Sequence, residues 1–192
     1  TSTTIAAILA RLGLDNAMLR YASAAAHQQN WSDVAGVYRT GMVVAVLASL
    51  VATIALILIA PVLAVQVFDD PAVTLPTRIM ALTILPTAVT TLHGEMLKAL
   101  RLTGKANLVQ ASAPPAVNAV VLGVALAVRS GDLTPSHVAW ITFAGGGAMS
   151  VISIWLLRRN TPHLRRRPGS FAAGRLMRTS LPLFWIAAFN LV

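Results

Sequence analysis

Long stretches without charged residues dominate the pattern of hydrophobic and polar positions along the chain. Three of them contain no charged residue at all: 40–68, 106–128 and 133–157. Because an α-helix needs about 20 mostly apolar residues to cross about 30 Å of hydrocarbon, each stretch predicts a complete transmembrane helix. A fourth span is predicted over 79–92, with the Arg78 side chain reaching one membrane surface and Glu95 lying near the other. The segments 4–26 and 181–192 are predicted to be parts of two further helices.

Other architectures fit this pattern poorly. Strands of a membrane barrel alternate apolar and polar residues, whereas these stretches are apolar on every side. A soluble helical domain is also disfavoured, because the connections between the stretches are too short to supply a covering layer. Of the 192 residues, 56% are hydrophobic and 11% are charged, against roughly 25% charged in an average soluble domain. The sequence therefore predicts an all-α, polytopic membrane helix bundle.

Basic residues are distributed unevenly among the predicted connections. The chain has 15 lysines and arginines against 6 acidic residues, a net charge of +9 that in a soluble protein would suggest nucleic-acid binding. In a membrane protein such an excess marks the cytoplasmic loops instead. One side receives only Arg78 and Arg129, and the other receives twelve cations: Arg20, Arg39, Lys98, Arg101, Lys105, Arg158, Arg159, Arg165, Arg166, Arg167, Arg175 and Arg178. We predict that 21–38, 100–105 and 158–179 face the cytoplasm, and that nucleic acid is not a partner.

Three of the predicted spans contain helix-breaking residues at membrane depth. These are Pro86 in the span over 79–92, Pro114 and Pro115 in 106–128, and Gly145, Gly146 and Gly147 in 133–157. Proline removes a backbone donor and clashes with the preceding turn, so we expect the first two of these spans to bend. The glycines are expected to interrupt their span, and both close helix packing and motion explain them.

The basic segment 158–179 has two interpretations. Its second half combines Phe171 and Leu176 with Arg175 and Arg178, a pattern that fits a short helix lying on the inner membrane surface. The alternative is a solvated basic linker. In either case the segment would connect two groups of transmembrane helices.

The first predicted helix has the densest set of polar residues at membrane depth, namely Arg11, Asp15, Asn16 and Arg20. Arg11 and Asp15 are four residues apart, as are Asn16 and Arg20, so the members of each pair are adjacent along the helix. One interpretation is a cationic lining that binds phosphate, because guanidinium donates two parallel hydrogen bonds. The other is an internal ion pair with an interfacial anchor.

A second polar group lies at the inner end of the span over 79–92. Glu95 and Lys98 are three residues apart and are predicted to pair, and Lys98 shares a helix face with Arg101. That face either guides an anionic headgroup into the bundle or, more simply, anchors the helix at the cytoplasmic surface. His93 and Glu95 are candidates for a proton-coupled step, although a lone histidine is more often a packing residue.

Two amides lie in the span over 106–128, without charged neighbours. Asn118 and Gln110 either line a cavity that binds sugar hydroxyls or form hydrogen bonds between helices. The tryptophans near the span ends are predicted to be interfacial anchors.

The chain lacks the motifs of common enzyme and metal sites. It contains no GxSxG, P-loop or HExxH sequence, and no cysteine. Its four histidines share no ligand spacing: they are His27, His93, His137 and His163. We predict a protein that is not an enzyme and that holds neither a metal nor a cofactor.

Three segments carry a resemblance to a known family. The sequence RLGLDNAMLRYASAAAHQQNWSDVAGVYRTG from Arg11 resembles the second and third helices of polysaccharide flippases, which move lipid-linked oligosaccharides such as O-antigen precursors. LKALRLTGKANLVQASAPPAVNAVVLG from Leu97 resembles their fourth-to-fifth helix connection, and SLPLFWIAAFNLV from Ser180 the opening of their seventh helix. These flippases belong to the superfamily that also contains multidrug and toxin extrusion transporters.

The resemblance implies a fold and a domain organisation. Residues 1–157 would be helices two to six of the first lobe of a two-lobe transporter, with the first helix missing. Residues 158–179 would be the cytoplasmic linker, and 180–192 the start of the seventh helix. The chain would be a fragment located in the bacterial cytoplasmic membrane.

The resemblance also implies a function, alternating-access transport of a lipid-linked oligosaccharide or polysaccharide precursor. Arg20 would receive the phosphate and Asp15 would orient it, with Arg11, Asn16, Lys98, Arg101 and Asn118 as further substrate-binding candidates. Membrane lipids and polysaccharide assembly proteins would be its partners. The alternatives are a multidrug or cation exporter of the same superfamily and, from another class, a membrane-embedded glycosyltransferase.

Overall fold

The computed structural model of the chain describes residues 14–128 and 134–161. The helices are α1 Leu14–His27, α2 Trp31–Gln66, α3 Thr74–Ala81, α4 Ile84–Ala99, α5 Thr103–Asn107, α6 Ala113–Val128 and α7 Pro135–Asn160. A short 3-10 helix, Pro71–Val73, precedes α3, and a π-helical turn, Leu108–Ser112, joins α5 to α6. The described ranges contain no strand, as the all-α prediction requires. Arg11, residues 162–179 of the predicted linker and the segment 180–192 lie outside the described residues.

Three helical segments are long and apolar enough to span a membrane. They are Trp31–Gln66, Pro71–Ala99 and Pro135–Asn160, which contain most or all of the spans predicted over 40–68, 79–92 and 133–157. The prediction of a membrane protein with transmembrane helices is therefore confirmed at this level. The remaining span, 106–128, is divided among α5, the π-helical turn and the 16-residue α6. It stays a prediction.

Helix α2 is longer than a membrane crossing requires. Its 36 residues extend about 54 Å at 1.5 Å per residue, so its ends project beyond about 30 Å of hydrocarbon. Asn30 caps the first turn, since its side-chain oxygen accepts from the Asp33 N–H at 3.3 Å. The other end of α2 leads through Asp69 and Asp70 to the short 3-10 helix.

The prolines and glycines act differently in the structure. The span predicted over 79–92 is broken between Ala81 and Ile84, just before Pro86. The Pro86 nitrogen carries no hydrogen, so it cannot donate to the Leu82 carbonyl one turn back. Pro114 follows the π-helical turn, in the first turn of α6. The prediction that Gly145, Gly146 and Gly147 interrupt their span is wrong, because α7 continues through all three. At Gly145 the Asn118 side chain of α6 approaches too closely to leave room for a Cβ, whereas Gly146 and Gly147 have space for one.

The core of the bundle lies where α1, α2 and α4 meet. Ala17 and Met18 of α1 pack there with Leu92 and Met96 of α4. Gly41 of α2 is required for this approach, since a Cβ at that position would lie 2.3 Å from the Met18 sulfur. Small residues at helix contacts let helices pack closely where lipid supplies no hydrophobic driving force.

Basic residues from different helices converge at one end of this bundle. Lys105 of α5 donates a hydrogen bond to Asn160 in the last turn of α7, which places it near Arg158 and Arg159. Lys98 and Arg101 lie at the end of α4, beside the end of α1. The prediction that this end faces the cytoplasm still needs a topology measurement.

Candidate functional site

A cavity of 220 Å³ lies between α4, α6 and α7, and we call it the threonine cavity. Its lining consists of Thr83, Thr87, Thr90, Thr91, Gln110, Pro114, Asn118, Thr142, Gly145, Gly146 and Met149. Five of these are threonines and two are amides, so seven polar side chains are concentrated here among apolar helices, although most of the lining surface is apolar. Polar groups at membrane depth are costly unless they face a bundle interior or a watery cavity. The arrangement is therefore suited to binding a polar group.

Thr87 and Thr91 of α4, with Thr83 directly before its first residue, present hydrogen-bond acceptors to this cavity. Thr83, Thr87 and Thr91 are spaced by four residues and share one helix face. The hydroxyl of Thr87 donates to the Thr83 carbonyl at 2.7 Å, and that of Thr91 donates to the Thr87 carbonyl at 2.9 Å. Because each hydroxyl uses its only hydrogen in this way, its oxygen remains available as an acceptor.

Asn118 adds an acceptor that is buried and unsatisfied. Its Oδ1 atom has no hydrogen-bond partner among the described residues. A buried polar atom left in this state costs about 1–3 kcal/mol. Gly145 makes room for it, since a Cβ on residue 145 would lie 2.2 Å from Oδ1. A ligand that donates hydrogen bonds would satisfy the threonine oxygens, and it would reach the Asn118 oxygen once α6 and α7 move apart.

A polar cluster adjoins the threonine cavity through Gln110. The Gln110 amide donates to the Thr91 carbonyl at 3.0 Å and to Oε1 of Glu95 at 2.9 Å. Lys98 donates to the same Glu95 oxygen at 2.8 Å, so the predicted Glu95–Lys98 pair is confirmed. Gly94 permits this arrangement, because a Cβ there would lie 2.4 Å from the Gln110 side chain. The Glu95 carboxylate thus has a cation and an amide as partners.

His93 occupies a separate buried position where three helices meet. Its Nε2 lies 3.0 Å from the Tyr38 hydroxyl of α2, and its Nδ1 lies 2.9 Å from the Ser153 hydroxyl of α7. Ser153 donates its hydrogen to the Ser150 carbonyl at 2.8 Å, so it accepts from Nδ1. A neutral ring protonated on Nδ1 then accepts the Tyr38 hydrogen on Nε2. This geometry makes His93 a connector between helices.

The other predicted site residues lie elsewhere. Asp15 is half-buried on α1, and the side chains of Asn16 and Arg20 are exposed. None of the three lines the threonine cavity, and α1 packs against α2 and α4 instead. Lys98 and Arg101 line a second, larger cavity at the basic end of the bundle. The structure therefore joins Asn118 to Gln110 and Lys98 to Glu95, but it brings no α1 residue to the threonine cavity.

The sequence analysis did not identify these threonines as site residues, although their regular spacing is visible in the sequence. Thr83, Thr87, Thr91 and Glu95 follow one another at intervals of four, the signature of a polar face on an otherwise apolar helix. Thr142 and Gly145 gave no such signal. No family model, curated protein or solved structure matches the chain. The assignment of function therefore depends on the cavity and on the resemblance described above.

Proposed function

We propose that this chain takes part in moving a lipid-linked oligosaccharide or polysaccharide precursor across the bacterial cytoplasmic membrane, as one lobe of an alternating-access transporter. The observation that supports the proposal is the threonine cavity, a hydroxyl- and amide-lined space among helices able to span a membrane. The sequence resemblance to polysaccharide flippases supplies the class of cargo.

The chemistry of the lining suits a sugar. Sugar hydroxyls both donate and accept hydrogen bonds, and the threonine oxygens and Asn118 Oδ1 need donors. Gln110 spends its amide hydrogens on protein acceptors and does not compete for those oxygens. A hydroxylated ligand would therefore gain hydrogen bonds that the closed cavity does not supply.

The volume limits how much of the cargo enters. At 220 Å³ the threonine cavity is just below the roughly 300–1,000 Å³ of typical small-molecule sites. It would accept one sugar ring and not a whole oligosaccharide. Passage of a longer chain therefore requires α4, α6 and α7 to separate. The break before α4 and the π-helical turn before α6 are natural places for that bending.

The rival function, export of drugs or cations, calls for a carboxylate facing the cargo. The side chains that line the threonine cavity include none within the described ranges. The nearest carboxylate, Glu95, already accepts from Lys98 and Gln110. The lining thus favours a neutral, hydroxylated cargo.

Removing the hydroxyls of Thr83, Thr87 and Thr91 tests the proposal. The triple variant Thr83→Val, Thr87→Val, Thr91→Val keeps the side-chain shape and removes three acceptors. At about 1 kcal/mol for each hydrogen bond to the cargo, export should fall roughly a hundredfold. The measurement is surface polysaccharide in cells that carry the full-length protein as their only copy, normalised to its amount in the membrane. Thr103→Val is the control, since Thr103 is exposed on α5 outside the cavity. Unchanged export by the triple variant would refute the assignment of this cavity to the cargo.

A further inference from the structure

A second cavity lies at the basic end of the bundle, and we call it the basic cavity. It measures 690 Å³. The end of α1 and the start of α2 form one side of it, and the end of α4 forms the other. The polar side chains that line it are Ser23, His27, Gln29, Trp31, Lys98 and Arg101. Five of them carry N–H groups that can donate hydrogen bonds, whereas the Ser23 hydroxyl donates to the Arg20 carbonyl at 3.0 Å. No carboxylate belongs to the described lining. Its donors and its charge favour an anion.

Arg101 supplies most of that charge. Lys98 is already paired with Glu95 at 2.8 Å, so its charge is largely compensated. The Arg101 side chain is exposed and forms no ion pair with a described residue. Guanidinium binds phosphate oxygens through two parallel hydrogen bonds, which an ammonium group cannot do.

The backbone conformation at Arg101 makes a clean test of its side chain possible. Arg101 has φ 61°, in the left-handed region that favours glycine and costs other residues about 1–2 kcal/mol. The turn closes the end of α4, with the Arg101 N–H donating to Lys98 O at 2.9 Å and the Leu102 N–H to Leu97 O at 2.9 Å. Glycine would form this turn without strain. Gln29, also on the cavity wall, has φ 55°. Arg101 and Gln29 thus both place a long polar side chain at a left-handed position that glycine would adopt with less strain.

The surrounding helix dipoles restrict how an anion can bind. The helix ends around the cavity act in opposite directions: the carboxyl ends of α1 and α4 repel negative charge, whereas the amino end of α2, at Trp31, attracts it. An arginine at the end of α4 also complements that dipole without any ligand. Because these helix ends oppose one another, the side chains decide whether an anion binds, and Arg101 carries the uncompensated charge among them.

We propose that the basic cavity is a binding site for a phosphate group, carried either by an anionic lipid headgroup or by a free phosphate anion. The site is separate from the threonine cavity, since the Glu95, Lys98 and Gln110 cluster lies between the two. It does not depend on the transport proposal, because a resident anion here would join the ends of α1 and α4 whatever the cargo is.

The Arg101→Gly variant distinguishes a loss of phosphate binding from a loss of folding stability. Glycine relieves the left-handed strain, so without an anion the variant should unfold at the same temperature as the unmodified protein or higher. Loss of the guanidinium should lower the affinity for phosphate about tenfold to a hundredfold. The control is Arg159→Gln, because Arg159 stacks over Trp155 at 5.2 Å, at the same end of the bundle, and lies outside the basic cavity.

The experiment measures the thermal midpoint of the purified full-length protein. One arm adds inorganic phosphate to protein in a neutral detergent, with chloride at equal ionic strength as reference. The other compares nanodiscs of phosphatidylcholine with nanodiscs that also contain phosphatidylglycerol. We expect a rise in Tm in at least one arm, retained in Arg159→Gln and lost in Arg101→Gly. A rise in the first arm identifies free phosphate as sufficient, and a rise only in the second identifies a lipid headgroup. No rise in either arm, or an equal rise in Arg101→Gly, would overturn the proposal.

Discussion

Gly145→Ala is expected to destabilise the protein by about 1–3 kcal/mol and to impair transport, because it overfills a tightly packed contact. The added Cβ would lie 2.2 Å from Asn118 Oδ1 and 3.3 Å from its Cγ. Asparagine is short, so its amide can escape only by leaving the threonine cavity or by moving α6 away from α7. Either change alters the proposed cargo site. The measurements are the thermal midpoint of the purified protein and surface polysaccharide in cells.

Two further variants test whether the contact between residue 145 and Asn118 causes the expected loss of stability and transport. Gly147→Ala places a methyl group two residues away where no neighbouring atom lies within 4 Å, so it should be neutral or slightly stabilising. Adding Asn118→Ala to Gly145→Ala removes the clash and should restore stability, but not transport, since the buried acceptor is gone. If Gly145→Ala proved as stable and active as Gly147→Ala, the contact between α6 and α7 would be wrong.

His93→Leu should destabilise the bundle by about 1–3 kcal/mol, because it removes the group that joins α2, α4 and α7. Leucine fills a similar volume but leaves the Tyr38 hydroxyl without its partner at 3.0 Å and Ser153 without its partner at 2.9 Å. The side chain is 1% exposed, so water cannot replace these bonds without opening the core. The free energy of unfolding in mixed micelles is the quantity to measure.

A double-mutant cycle identifies the role of His93 more sharply. With Tyr38→Phe as the second change, the two losses should sum to more than the loss in the double variant, because they remove the same hydrogen bond. Thr103→Val is the control, since Thr103 is exposed on α5 and lines neither cavity. Additive effects of His93→Leu and Tyr38→Phe would mean that the two side chains do not interact. A large loss of transport with full stability would instead favour the proton-coupled role predicted for His93.

The membrane helices were predictable because length and apolarity alone define them. Helix α2 is uncharged from Thr40 to its end, and hydrocarbon thickness sets the number of residues such a helix needs. The Glu95–Lys98 pair was predictable for a similar reason, since residues three apart on a helix are neighbours. Each of these features follows from the geometry of a single helix.

The candidate site was not predictable because it depends on which helix faces meet. Ser153 lies 60 residues from His93 and Tyr38 lies 55 residues from it, and no local pattern indicates that these side chains share a hydrogen-bond network. The role of Gly145 has the same origin, since only its contact with Asn118 of α6 shows why a glycine stands there in a continuous helix. Asn118 and Gln110 were recognised as polar residues at membrane depth, but only tertiary packing shows that they face one cavity.

The most direct test of the central claim, that lipid surrounds these helices and a polar cavity lies among them, is single-cysteine labelling. The chain has no cysteine, so each introduced thiol is read without background. Leu58 is 69% exposed within the uncharged part of α2, whereas Thr87 lines the threonine cavity and Asp69 lies in an exposed connection. With a charged, membrane-impermeant thiol reagent on the full-length protein in membranes, we expect Leu58→Cys to stay unlabelled despite its exposure. Asp69→Cys should react rapidly, and Thr87→Cys should react when the cavity opens to water. Labelling of Leu58→Cys as fast as Asp69→Cys would show that water surrounds α2, and would contradict the account.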